Sequence, residues 1–568
     1  MTSLLRPLLA RWYAPLVYLL LALVGHAQAL RSLGGTTRCA CRDAPETDWF
    51  LGWTPYAVLH GHAPWTSAHL AAPEGVNLMW NTLMPLPGLL MTPVTLLAGP
   101  LATHTLLAVL GMTLSATAMW WVAGRWVPWG PARFVAGLLY GFSPYLVGQA
   151  TDHLHLSLVA LPPLVLLCLD ELLVRQRRRA LLAGSLLGLL ALAQLLTAEE
   201  VLASMFVVCV AGLAVLLAQQ WRRLDRGRVR HAAVGLSAAA GVLVVGAAWP
   251  LGVQFFGPRR LSGPATGAAP FAADLLGAVV PGPHQLLGLQ SIASWGGGPT
   301  ENGSYLGIPL LLLLAALAWR LRSVAVVRFA TVLGAVTLVL SLGERLHVAG
   351  TAYGLPLPFA AVAALPVLHD LAAVRFSLYV ALFAALVAAV GVDRLHASGA
   401  LRRRPGLAVV ATLAVAVPLL PAWPYAYQDA RTPAYFTTAT VERVPEGALA
   451  LTYPVPRFPT SAPMAWQAVA GYRYRSVGGY VITPDAQGHG TFTGGVTLWE
   501  RTVLHAAVGR PMRLTPRLSS RLAAEIARLR VRAVLVADTR GSAEVVRLVT
   551  AVLGRPGEHA GGVTAWYL

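Results

Sequence analysis

Eleven long apolar segments, joined by short loops in which arginine falls on alternate sides, constrain what this chain of 568 residues can fold into. About 20 apolar residues span the hydrocarbon of a bilayer, where the backbone must satisfy its own hydrogen bonds as a helix. Residues 154–173, 232–251, 306–319 and 378–392 fit that description with few or no charges. Hydrophobic residues make up 56% of the chain and the mean hydropathy is +0.61, above the range of soluble domains. The reading is an α-helical polytopic membrane protein.

The formal net charge of +19 does not point to nucleic acid. All 43 basic residues are arginine, many of them in short loops between spans, which suits a cytoplasmic membrane face and lipid headgroups. With no lysine, Schiff-base and phosphate-loop lysine chemistry are excluded. The bias to Arg, Ala, Leu and Gly is that of a GC-rich bacterial coding sequence. Four cysteines give no disulfide framework. Cys168 and Cys209 read as core fillers. For Cys39 and Cys41, a local bridge, a metal site with His60 or His62, and two free thiols all remain open.

The arginine loops orient the chain. Arg6 and Arg11 precede the first apolar run and place the N-terminus inside. Ala27-Gln-Ala29 also fits a signal-peptide cleavage site, and either reading leaves residues 31–80 outside. Loops 175–179, 222–230, 320–328 and 394–404 are then cytoplasmic. Spans near 103–123, 132–149, 153–173, 180–197, 200–219, 231–251, 304–319, 328–342, 376–392 and 405–421 alternate without conflict. With the first helix this predicts about 11 crossings in residues 1–422, in a cell inner or plasma membrane. Residues 84–100 hold four prolines, which break the helical ladder, so they read as a re-entrant or interfacial element; residues 354–368 read as a second. From about Trp423, β-type runs (448–455, 531–537, 563–568) alternate with helical patterns (519–529, 542–553). That predicts an extracytoplasmic α/β domain over 423–568.

In this topology the acidic residues gather on the outer face. Asp43, Glu46 and Asp48 lie in the first outer loop, 31–82. Asp152, His153 and His155 form one short turn, Glu199 and Glu200 the next, and Asp274, Glu301, Glu344 and Asp370 lie in later loops. Ion-coupled transporters keep an ionisable residue near the bilayer midplane; here the spans are nearly free of charge. Polar residues at one interface suit a reaction on a membrane-anchored substrate. After Asp48, bulky residues at 49, 50, 53, 56 and 59 predict an interfacial amphipathic helix with Asp48 as its N-terminal cap. Helix cap and positioned base or metal ligand are both open for Asp48.

An acidic loop after the first helix, then an amphipathic helix ending in Gly61-His-Ala-Pro64, then many spans, resembles the GT-C superfamily. These are integral-membrane glycosyltransferases that use polyprenyl-phosphate sugars. The resemblance extends to uncharacterised bacterial members through Ala72-Pro-Glu-Gly-Val-Asn-Leu78, Gly141-Phe-Ser-Pro-Tyr145, Gln149 to Leu156, Glu199-Glu200 and Ala465 to Tyr472. It implies a catalytic loop carboxylate at Asp48 or Asp43, although members often show two adjacent acids where this chain spaces Asp43, Glu46 and Asp48. The implied reaction is inverting transfer to an envelope glycan or lipid acceptor, with Glu46, Glu199 and Glu200 near the substrate. Arg259, Arg260, Arg345 or Arg375 would meet the leaving polyprenyl phosphate. Asp152, His153 and His155 would assist or bind a divalent metal such as Mg or Mn. Tyr472-Arg-Tyr-Arg-Ser-Val-Gly-Gly-Tyr480 places aromatics beside arginines, as sugar-stacking surfaces and edge strands both do. A transporter or flippase of lipid-linked material and a non-catalytic GT-C-like scaffold are the competing readings.

Overall fold

A computed structural model describes residues 2–31, 33, 43–220, 225–265, 271–425, 432–457, 460–492, 497–507, 509 and 514–568. Cys39 and Cys41 lie outside the described residues. Up to Leu419, α-helices of six residues or more follow one another as α1 (Thr2–Gly25), α2 (Ala44–Leu59), α3 (Pro85–Leu90), α4 (Thr92–Ala123), α5 (Gly130–Gly141), α6 (Pro144–Asp152) and α7 (Leu161–Leu169). They continue as α8 (Ala180–Leu195), α9 (Glu199–Gln220), α10 (Arg226–Phe256), α11 (Ile308–Arg320), α12 (Ala325–Ser341), α13 (Ser377–Ala397) and α14 (Pro405–Leu419). The chain divides into two compact units. One holds Met1–Leu30, Leu106–Ala247 and Ala268–Ala426; the other holds Arg31–Thr105, Ala248–Gly267 and Tyr427–Leu568.

In the first unit, α13 is apolar all round and buried along nearly its whole length, the signature of a central helix rather than a half-exposed one. Small residues let other helices close on each other. A Cβ on Gly184 of α8 would lie 2.0 Å from the Gly235 carbonyl of α10, so only glycine permits that approach. By length and composition, four helices among the described residues are able to cross a membrane, and five shorter apolar ones accompany them. This is a multi-pass membrane protein. Two of the expected continuous spans are interrupted. Ser143-Pro144 divides 132–149 into α5 and α6, and residues 158–160, ahead of Pro162-Pro163, interrupt 153–173. Within 84–100, α3 and the first turns of α4 do form, but Gly99 (φ 83°, ψ 169°) breaks α4 and Pro100 restarts it. Residues 354–368 hold the end of an exposed hairpin (Arg345–Val348 with Thr351–Pro356) and a short helix, Phe359–Ala363.

The second unit is built on a five-stranded mixed sheet. Its strands are β1 (Ala448–Tyr453), β2 (Tyr474–Ser476), β3 (Ala533–Ala537), β4 (Glu558–Ala560) and β5 (Val563–Tyr567), in the order β4-β5-β3-β1-β2. β1 runs parallel to β2 and β3; β5 is antiparallel to β3 and β4. Alternation along each strand sorts the side chains. Leu449, Leu451, Val534 and Val536 pack with Trp499, Leu522 and Leu548 on one face. Ala450, Ala533, Leu535 and Val563 meet Tyr435, Phe436 and Trp466 on the other. A third cluster joins Trp49, Phe50 and Trp53 of α2 to Met464, Ala468 and Tyr472. The α2 segment is thereby part of the same unit as the sheet.

Candidate functional site

The first-loop carboxylates fall in unlike places. Asp43 is the N-cap residue of α2, half-buried, with Pro45 in the first turn to pre-set the helical φ. Asp48 is not a cap. It lies inside α2, fully buried, with Oδ1 2.8 Å from His104 Nδ1 of α4. Its Oδ2 has no hydrogen-bond partner. Glu46 is buried in the first turn of α2, where a carboxylate opposes the helix dipole favourably.

Nor is α2 interfacial. Residues 44–55 are buried on every side, and a helix covered all round is a packed one. Trp49 and Trp53 stack with centroids 5.1 Å apart. Trp49 Nε1 donates to Gln467 Oε1 at 2.7 Å, and the Tyr472 hydroxyl donates to the Trp49 carbonyl at 2.7 Å. Burial, and then the charge of Asp48, push the Tyr472 phenol well above its ordinary range. Tyr472 is therefore a buried strut and not a sugar-stacking face. His69 stacks edgewise near Tyr56; burial, His62 and Arg475 lower its imidazole to about 4, so it is neutral at physiological pH.

The same unit holds Arg259 and Arg260, just after α10. Asn77 Nδ2 donates to the Val253 and Pro258 carbonyls at 2.8 and 3.0 Å, and Trp80 Nε1 to the Gln254 carbonyl at 2.8 Å. These bonds tie the second half of the first loop to the segment that carries both arginines. Arg259 has φ 54° and a buried Nε without a partner, while Arg260 is exposed.

In the first unit the structure brings together Glu200, Arg375, His153 and Glu301, an acidic residue expected on the outer face but given no role there. Arg375 is buried, donates through Nη1 to Glu301 Oε2, and reaches Glu200 Oε1 from Nε at 3.3 Å. Glu200 Oε1 also accepts from the Ala372 amide at 3.2 Å. Gln149 Nε2 donates to Glu301 Oε2 at 3.2 Å, and its Oε1 lies 2.8 Å from His153 Nδ1. His153 Nδ1 is 3.7 Å from Glu301 Oε1. Two carboxylates thus face one guanidinium, and an imidazole stands beside the surplus charge.

A family model described only as a domain of unknown function, DUF6311, matches residues 16–439. The chain belongs to that family. Among solved structures, the mycobacterial arabinofuranosyltransferase AftD is 17% identical, with 98% of this chain and 40% of that chain covered and a TM-score of 0.51. The oligosaccharyltransferase AglB of Archaeoglobus fulgidus, solved with an inhibitory peptide and a dolichol-phosphate, is 13% identical over 99% and 75% of the two chains, TM-score 0.51. The apo form of the A. fulgidus oligosaccharyltransferase gives 14%, 92%, 69% and 0.54. This chain spans only two fifths of the arabinofuranosyltransferase. No curated protein matches it. These likenesses identify the fold as GT-C.

Within this DUF6311 chain, the remaining expected residues belong to the first unit. Asp152 ends α6, with His153 as the next residue; both are half-buried, and His155 is buried. Glu199 and Glu200 open α9. Arg375, expected at the leaving phosphate, is committed to Glu200 and Glu301. His104 and the role of Glu301 were missed because their partners lie 56 and 74 residues away in sequence. A histidine in an otherwise apolar helix was the available signal for His104.

Proposed function

We propose that this protein is a membrane glycosyltransferase that moves a sugar from a polyprenyl-phosphate donor to an envelope glycan or lipid acceptor. The support is a GT-C fold together with an accessible carboxylate, Asp43, at the start of α2, in the same compact unit as Arg259 and Arg260. Asp43 accepts the acceptor's hydroxyl proton as that oxygen bonds to the anomeric carbon. The bond from the anomeric carbon to the phosphate oxygen breaks, and the electron pair leaves with the phosphate. Arg259, with an uncommitted donor, and Arg260 meet the charge that grows on the leaving group. Asp48 is a positioning residue that joins α2 to α4 through His104. Asp152 and His153 would offer a divalent metal a carboxylate oxygen and an imidazole nitrogen, a donor pair that suits Mn²⁺ better than the oxygen-seeking Mg²⁺. The loop that bears Asp43 faces outward, the arginine loops face the cytoplasm, and the reaction takes place on the outer leaflet.

The test is transfer by protein in nanodiscs, supplied with a panel of radiolabelled polyprenyl-phosphate sugars. Asp43→Asn should lose about 10²–10⁴-fold in transfer with unchanged yield and unfolding temperature, the size of a general-base contribution. If Asp43→Asn and Asp48→Asn both transfer at the parental rate, the first loop is not the reactive centre. A parent inactive with every donor favours the scaffold reading. External labelling of cysteines placed at 175–179 in intact cells would overturn the orientation.

A further inference from the structure

A cavity of about 390 Å³ in the first unit runs beside α13. Its wall is apolar, with Val165, Val208, Phe329, Phe383 and Leu386 from α7, α9, α12 and α13. Gly212 leaves room on the α9 side: a Cβ there would only touch Leu333 and Phe329, at 3.4 and 3.6 Å. Tyr379 lines one end; Asp170, Arg175 and Arg394 line the other. Tyr379 and Arg394 are 15 residues apart on one helix, roughly 22 Å.

The two ends differ in charge. Beyond Tyr379, whose hydroxyl donates to the Val201 carbonyl at 3.0 Å, stand Glu200 and Glu301 with Arg375 between them, two carboxylates against one guanidinium, so that end disfavours an anion. At the far end Arg125 is held by Glu171 and by Asp170 at 2.8 Å, and Asp170 also holds Arg175 at 3.2 Å, a balanced set of two acids and two arginines to which Arg394 adds a positive charge with no ion-pair partner among the described residues. The arginine end thus carries surplus positive charge at the mouth of an oily slot.

We infer that this cavity seats an anionic phospholipid, its phosphate at Arg175 and Arg394 and one acyl chain extended toward Tyr379. A slot of roughly 22 Å takes a chain that spans one leaflet of a hydrocarbon core of about 30 Å. A fully extended chain much longer than about 22 Å leaves part of its length outside the slot. The site is independent of the proposed transfer reaction.

The test is native mass spectrometry of the delipidated full chain in neutral detergent, titrated with phosphatidylglycerol, phosphatidylcholine or a polyprenyl phosphate. Phosphatidylglycerol should be retained in preference to phosphatidylcholine. Arg394→Gln should weaken it about fivefold, the size of one arginine contact with an anionic lipid surface, and Arg394→Glu should weaken it more. Gly212→Trp should remove retention by filling the chain seat. If Gly212→Trp fails to fold, the arginine variants decide. Equal retention of both phospholipids, an Arg394→Glu titration that matches the parent, or displacement of phosphatidylglycerol by polyprenyl phosphate at equal concentration would overturn the assignment.

Discussion

Both units bury charge, and they do it differently. In the second unit, Asp48 meets a single partner, His104, inside a shell of tryptophan, phenylalanine and tyrosine. In the first, Arg375 holds Glu200 and Glu301 at once, with His153 and Gln149 at the edge. A pair can be replaced by an uncharged pair of like shape at little cost, whereas a network that loses its one cation leaves the buried Glu301 carboxylate unpaired beside half-buried Glu200. The pair is a joint between helices, and the network is a charge store that depends on one residue.

The sharpest way to break this contrast is Arg375→Gln. Unfolding should show a loss of about 3–5 kcal/mol, the usual result of stranding a buried charge, and Glu301→Gln added to it should restore part of that loss. Equal stability of the single variant and the parent would refute the network. Asp48→Asn should cost less, about 1–3 kcal/mol, because the amide oxygen still accepts from His104. Its transfer rate should fall less than that of Asp43→Asn. A larger fall for Asp48→Asn would move the base to position 48.

The smallest expected effect is one of pH. His69 has a folded pKa of about 4 against an ordinary 6.5. Between those values the unfolded chain binds more protons than the folded one, so stability falls as pH drops from about 6.5 toward 4. Thermal unfolding of His69→Gln from pH 7.5 to 4.5 should show a shallower acid decline than the parent. An identical slope would remove His69 from the account.

Legibility in the sequence followed the range of the interactions. Apolar runs at 180–197, 200–219 and 376–392 announce α8, α9 and α13, because the pattern is local and long. The runs at 448–455 and 563–568 announce β1 and β5 within two residues for the same reason. The breaks at Ser143-Pro144 and near Pro162 were written in proline, but outweighed by hydropathy. The misreading of α2 has another cause. Aromatic residues at helical spacing look alike whether they meet headgroups or a protein wall, and that wall, at Met464 to Tyr472, is supplied from the far end of the chain. At the site, residue types were legible and pairings were not, since Asp48–His104 and Arg375–Glu301 follow from the tertiary fold.

The bond between Trp49 and Gln467 closes across 418 residues. A ribosome adding about 5–20 residues per second reaches Gln467 roughly 20–80 s after Trp49 has been made. During that interval the tryptophans of α2 have no Met464 or Tyr472 to cover them. A nascent chain of this kind carries an adhesive patch throughout that interval, which a shielding factor or the membrane surface itself covers until Met464 to Tyr472 arrive.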